Sequence, residues 1–478
     1  MPLARAWVLA LGVACARPPA ARAPDLVVIL ADDLDVPTLS AGLDAGLFPS
    51  IASEFVAPGL GFAESFVNFS QCCPSRATLL TGRYAHNHGV LSNLGKDGGF
   101  QAFDDRSTLA TWLDDAGWST ALVGKYLNGY DDPAIVPPGW DRWRALVGPS
   151  SYCMYDWTHS HDGTPVTHGA SEADYQTDEL ATLAADALRD AASDPTEPPI
   201  FLLATPLAPH LEAACNPTGI RPAPRHAGTV DLPLPRPPSL NEPDLSDKPT
   251  WMAALAPIDL AALEALYRGR LEAVRAVDDL VGEIVLALEE TGRLDQAVLV
   301  FTSDNGFLLG EHRWLNKVLP YENSVRVPLW IRGPGLRSGT SSALVGNPDL
   351  APTLLALAGV LPGAEVDGTA LTPVLQGLPV AWRESLLLQH PPADLADPES
   401  PPYRAIRTVD GWVYVETTGE DGVTVTDLEL YDLGSDPDQL ASLHSDPAFD
   451  AVREALAAHL DALRECAGAG CAEAEWAQ

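Results

Sequence analysis

A run of apolar, partly β-branched residues at 25–30 (DLVVIL) stops abruptly on three acids, Asp32, Asp33 and Asp35. A strand that is apolar on both faces has no solvated side, so it belongs inside a parallel sheet covered by helices. The pattern returns in STALVGK (119–125), in PIFLLAT (199–205) and in AVLVFTSDNG (297–306), which again ends on polar residues. VPLWIRG (327–333) adds a shorter strand. Helical patterns separate them at 108–116, 172–192, 257–290 (with Gly292 as C-cap) and 349–358. Strands alternating with helices define an α/β domain on a mostly parallel sheet.

From 376 the pattern changes. YRAIRTVDGWVYVETT and VTVTDLELYDL read as antiparallel strands with turns at Asp410-Gly411 and Glu420-Asp421-Gly422, followed by a helix at 447–465. The expected organisation is a larger α/β domain over 24–375 and a smaller α+β subdomain over 376–478. Residues 1–23 read as an export segment, with Arg5, an apolar run from Ala6 to Ala14 and a small-x-small site at Ala14-Cys15-Ala16. Cys15 is alternatively a lipid-attachment site, although Gly12 stands where a branched apolar residue is expected. No later stretch is long enough for a transmembrane span, so the protein is expected to be periplasmic, secreted or surface-anchored. The Pro-rich stretch between Cys215 and Thr250 reads as a lid, a binding loop or disorder.

Active groups in open α/β sheets lie at the carboxyl ends of strands. Two strand ends carry hard oxygen donors, Asp32 with Asp33 and Asp304 with Asn305. Each alone could merely punctuate a strand-to-loop transition; together they suit a calcium- or magnesium-like ion. Asn305, where a histidine would suit a transition metal, favours a single hard cation. CCPSRATLLTGR (72–83) puts Cys72 at or just before a helix N-terminus with Arg76 beside it, an activated-thiolate or anion-binding arrangement. Cys466 and Cys471 are close enough to bridge, and Cys153 with Cys215 is a second possible pair. A net charge of −36, from 29 basic and 65 acidic residues, excludes general nucleic-acid binding.

C-x-P-S-R followed by L-T-G-R, matched from Cys72 through Arg83, resembles the active-site element of the type I sulfatases. The resemblance implies an alkaline-phosphatase-like sheet and oxidation of Cys72 to formylglycine by a formylglycine-generating enzyme. It leaves Cys73 as a buried thiol. LVVILADDLD and TSDNGFLLGEHRWLNK are similar to the family's metal elements. They imply one calcium ion, with magnesium the alternative, held by Asp32, Asp33, Asp304, Asn305 and residue 72. GKYLNGY, LNKVLPYE and TPLAPH place Lys125, Lys317 and His210 on ester-contacting positions, so two of only four lysines fall on motif residues. The cysteine pair, HNH at 86–88 and GKYLN most resemble the branch acting on N-acetylglucosamine-6-sulfate.

One departure stands out. Leu127 occupies a position that many members fill with histidine, which makes His210 the first candidate for protonating the leaving oxygen. His86 and His88 either face substrate or cap the preceding helix, and His312 is expected at the substrate. Asp278 and Asp279 read as a solvated or locally bonded helix face. His159, His161 and His168 suggest a metal cluster, but their irregular spacing favours a surface loop. The implied reaction is sulfate ester hydrolysis on a small sulfated sugar or a chain end. Its rivals are phosphonate or phosphate ester hydrolysis on the same scaffold, and non-catalytic binding of sulfated glycans.

Overall fold

In a computed structural model the chain is described over residues 22–213, 215, 219–393 and 400–476. The export segment with Cys15, apart from its last two residues, lies outside the described residues. An eight-stranded sheet forms the centre: β1 (Asp25–Ala31), β2 (Leu60–Phe62), β3 (Ser119–Gly124), β4 (Arg142–Ala145), β5 (Ile200–Thr205), β6 (Ala297–Ser303), β7 (Leu329–Arg332) and β8 (Gly339–Ser341). Their order is β8-β2-β7-β6-β1-β5-β3-β4. β6, β1, β5, β3 and β4 run parallel, and only β7 opposes its neighbours β6 and β2. The short strands β2, β4 and β8 carry too few residues to leave a clear alternation in the sequence.

β1 is buried on both faces, as its apolar run requires. Val27, Ile29 and Ala31 pack toward α3 (Gln176–Ser193) and α4 (Leu260–Glu290). Leu26, Val28 and Leu30 pack toward α1 (Cys72–Thr81), α2 (Leu109–Asp115) and α5 (Leu350–Ala358). Local chemistry sets the helix ends. Thr108 caps α2 in a capping box with Thr111, Asp259 caps α4 by accepting from the Ala261 amide at 2.8 Å, and Gly292 (φ +66°) supplies the left-handed turn after α4.

The second layer is a four-stranded antiparallel meander of β9 (Ser385–His390), β10 (Tyr403–Thr408), β11 (Trp412–Thr418) and β12 (Val425–Asp432). It is packed by α6 (Asp450–Leu463) and α7 (Ala469–Glu475). β9 docks on the eight-stranded half where the Gln389 amide donates to the Asn68 carbonyl at 2.8 Å. Arg383, wholly buried, bridges Asp349 at 2.6 Å and Glu475 at 3.4 Å, which ties α7 to the start of α5.

Three expectations change. The Pro-rich stretch, described over 219–249, has no helix or strand before Thr250 but is a packed strap, with Ala223, Val230, Leu234 and Leu245 buried. It is fastened to the C-terminal layer by Ser239 to Asp438 (3.0 Å) and Lys248 to the Leu440 carbonyl (3.1 Å). Asp278 is not solvated: it caps the short helix Pro49–Ile51 by accepting from the Ile51 amide at 2.7 Å, while Asp279 holds Arg225 and His226. His159 is not in a surface loop. It is buried in the hairpin Thr158–His161/Thr164–Thr167, next to His168, whose ring stacks on Trp157 at 3.8 Å between centroids. Cys153–Cys215 and Cys466–Cys471 form disulfides, and Cys72 and Cys73 are buried free thiols.

Candidate active site

Four strand ends and one helix N-terminus converge beyond the carboxyl edge of the sheet. β1 delivers Asp32 and Asp33, β6 delivers Asp304 and Asn305, β3 delivers Lys125, and the turn after β5 delivers His210. Cys72 is the first residue of α1, and Pro74 falls within the first turn, where its missing N–H costs nothing. Lys317 arrives from the loop that follows the hairpin Leu308–Leu309/Leu315–Asn316.

The side chains form one charged cage. Lys317 Nζ lies 2.9 Å from Cys72 Sγ and also bonds Asp33 Oδ1. Lys125 Nζ donates to Asp32 Oδ2 at 2.5 Å. Arg76 lies under both acids: Nε donates to Asp304 Oδ2 at 2.8 Å, Nη2 to Asp32 Oδ2 at 3.1 Å and Nη1 to the Lys125 carbonyl at 2.5 Å. Only a planar fork reaches three acceptors in this way, so lysine is no equivalent there. Asp33 sits at φ +64°, and its amide donates to Asp304 Oδ1 at 3.1 Å, which brings the two strand ends into one unit. His210 donates Nδ1–H to the Leu211 carbonyl at 2.6 Å and leaves Nε2 3.5 Å from Asp33 Oδ2.

Burial alone would raise the Asp32 carboxyl, but Lys125, His210, Arg76 and Lys317 together hold it well below the usual carboxylate range. Burial likewise works against Asp33, and Lys317 and His210 outweigh it. Burial lowers His210 despite Asp33 and Asp32, which leaves the imidazole neutral. Burial, with the Asp32 charge next, pushes the Cys72 thiol up to about 12 in spite of Lys125 and Lys317. Burial thus works against an activated thiolate in the unmodified cysteine, with the two lysines opposing it.

The donor set suits a cation. Asp32, Asp33, Cys72 and His210 offer ligand atoms within 4.8 Å of one another. Asn305 Oδ1 is buried without a hydrogen-bond partner, while its Nδ2 bonds Asp33 Oδ1 at 2.7 Å. An orphaned buried amide oxygen on a side chain bonded to Asp33 matches an oxygen-seeking ion.

The other histidines are not brought into this cage. His86 uses both ring nitrogens on the C-terminal layer, at Gln389 Oε1 (3.2 Å) and the Cys466 carbonyl (2.9 Å). His88 bonds Thr78 Oγ1 at 3.0 Å and accepts from the Val90 amide at 3.1 Å, which completes the turn after α1. His312 bonds Glu242 at 2.6 Å and packs on the Tyr321 ring, under the strap. Tyr152 had no sequence signal. Its ring lies 4.7 Å from Lys125 Nζ and 5.1 Å from the His210 ring.

Comparison with known proteins agrees with this geometry. A family model described as Sulfatase matches residues 24–360, and one described as N-sulphoglucosamine sulphohydrolase, C-terminal, matches 310–466. Human N-acetylglucosamine-6-sulfatase is 31% identical over 465 residues, covering 88% of this chain and 81% of that protein. An arylsulfatase from Volvox carteri is 32% identical over 503 residues, covering 94% and 75%. Among solved structures, a protein in complex with its substrate D-glucosamine-2-N,6-O-disulfate superposes with TM-score 0.76 at 24% identity, covering 92% of this chain and 97% of the other. The phosphonate monoester hydrolase of Agrobacterium radiobacter superposes with TM-score 0.69 at 23% identity, covering 92% and 95%. The chain therefore belongs to the sulfatase family of sulfuric ester hydrolases.

Proposed function

We propose that this protein is an exported, formylglycine- and calcium-dependent sulfatase that removes sulfate from a small sulfated sugar or a chain end, of the N-acetylglucosamine-6-sulfate type. One observation carries the reading: the side chain at 72 projects from a helix N-terminus into a cage of Asp32, Lys125, Lys317 and His210, where burial works against its own thiolate. As formylglycine, residue 72 would supply a hydrated aldehyde, with one hydroxyl as the nucleophile toward sulfur and a second to release sulfate as the aldehyde re-forms. A calcium ion would be held by Asp32, Asp33, Asp304 and Asn305 and would supply positive charge for the sulfuryl oxygens.

The chain's own residues do the rest. Lys125 and Lys317 bind the non-bridging oxygens, where negative charge is held through the transition state. Arg76 fixes Asp32 and Asp304 so that neither carboxylate swings toward the anionic ester. The Nδ1–H bond to Leu211 orients His210 and leaves Nε2 unprotonated, so Nε2 takes the proton that the attacking hydroxyl gives up and hands it to the departing alcohol. Three carboxylates face three permanent cations here, so a divalent ion leaves the site net positive and ready for an anion. The overall −36 charge is screened beyond about 8–10 Å, yet it disfavours gripping a long polyanion across the surface.

Mass measurement of the peptide carrying residue 72, from protein made in its native host, tests the reading beside kinetics of Cys72→Ala. The expected result is loss of the thiol mass in favour of the aldehyde, with no turnover by the variant. Intact cysteine with full ester cleavage refutes it. The likeness to a phosphonate monoester hydrolase makes aryl phosphonate the control substrate; a preference for it over aryl sulfate would favour that chemistry instead.

A further inference from the structure

Cys73 is a buried thiol beside the reacting residue, and the reaction as described gives it no task. Its sulfur serves a different loop from that of Cys72. The Asn128 amide donates to Cys73 Sγ at 3.1 Å, and Sγ lies 4.0 Å from the Asn93 carbonyl oxygen. The sulfur lone pairs are the acceptor for that amide.

Asn128 is held at two further points. Its carbonyl accepts from the Phe100 amide at 2.8 Å, and its Oδ1 accepts from the Tyr152 hydroxyl at 3.0 Å. Tyr152 in turn places its ring against Lys125 Nζ and the His210 ring. The neighbouring Cys153 is bonded to Cys215, in the loop that follows His210, so this wall is fastened at both ends.

We propose that Cys73 is a positioning residue for ester cleavage: through Asn128 and Tyr152 it sets the places of Lys125 and His210. The inference rests on the reading of those two residues as the groups that hold and protonate the ester. Sub-ångström placement of such groups controls the rate more than the affinity, because binding tolerates a loosened contact that an aligned transition state does not. A merely space-filling Cys73 would respond to lost volume, whereas a Cys73 that holds an amide responds to a lost acceptor.

The test uses the full-length, matured protein, with rates normalised to the fraction modified at residue 72. Steady-state kinetics on N-acetylglucosamine-6-sulfate compare Cys73→Ala, Cys73→Ser, Tyr152→Phe and the Cys73→Ala/Tyr152→Phe pair. Cys73→Ala and Tyr152→Phe are expected to lower kcat about tenfold with KM nearly unchanged. Serine, which keeps an acceptor, restores most of the rate, and the pair loses no more than the worse single change because both act on one chain of contacts. Wild-type kcat in Cys73→Ala, equal losses for alanine and serine, or fully additive losses in the pair would each overturn it. Lys125→Ala is run alongside. Wild-type kcat there sinks the ester-holding reading itself, whereas a loss there with unchanged Cys73→Ala sinks only the relay.

Discussion

Glu429, on β12, is buried beneath the strap and accepts from the hydroxyls of Tyr321 (2.9 Å) and Tyr431 (2.7 Å). Burial is the larger influence and outweighs the two hydroxyls, raising the carboxyl from 4.5 to about 7. The folded protein therefore binds this proton more tightly than the unfolded chain does. Its stabilising effect is complete below pH 4.5 and disappears as pH rises through 7. At 1.36 kcal/mol per pH unit, about 2.5 kcal/mol present at pH 5 is gone by pH 8. With an unfolding entropy of about 2.1 cal/mol/K per residue, a chain of this length converts that into a Tm shift of about 2–3 °C. Calorimetry of wild type and Glu429→Gln at pH 5 and pH 8 isolates it, since glutamine does not titrate and the remaining groups are common to both. Wild type should lose that much more Tm than the variant between the two pH values. Parallel pH dependences, or a wild type that gains relative to the variant at high pH, would refute the assignment of a buried, protonated Glu429.

Lys317→Ala is expected to reduce kcat on a sulfate ester by about 10²–10³, measured by steady-state kinetics; a change in KM alone would show that it binds ground state and transition state equally. Dialysis against a calcium chelator should abolish turnover and lower Tm, and added calcium should restore both; restoration by zinc alone would contradict a hard-cation centre. Arg383→Ala should cost about 3–5 kcal/mol in denaturant melts, because Asp349 stays buried without its cation. Adding Asp349→Asn should recover part of that loss, and a still less stable double variant would argue against the charge explanation.

The sheet and the ends of its strands were legible because they depend on local pattern. An apolar run that stops on Asp32 and Asp33 announces both a buried strand and what stands at its tip, and Asp304 with Asn305 repeats the message. Pairing across long separations left no such trace. Nothing near Tyr152 in sequence indicates that it will touch Lys125 and His210. Nothing in the HNH stretch shows that Gln389 and the Cys466 carbonyl will claim His86. Asp278 failed for the same reason, since the amides it caps lie in another element of the chain. The packing of the strap was not legible because proline suppresses the periodicities that reveal it, although its apolar side chains fill space as well as those of a helix.

The depth at which Cys72 is buried sets a timetable for biosynthesis. Its side chain is 1% exposed in the finished molecule, and β9, which closes over the segment leading into α1, begins 313 residues later at Ser385. At roughly 5–20 residues per second, translation leaves an interval of about 15–60 s between the two. On the function proposed above, a macromolecular oxidant has to finish with the nascent peptide inside that interval or meet a chain held open by other means. On that same reading, codon usage and translocation speed in the stretch between 72 and 385 thus govern how many molecules leave the ribosome able to become active.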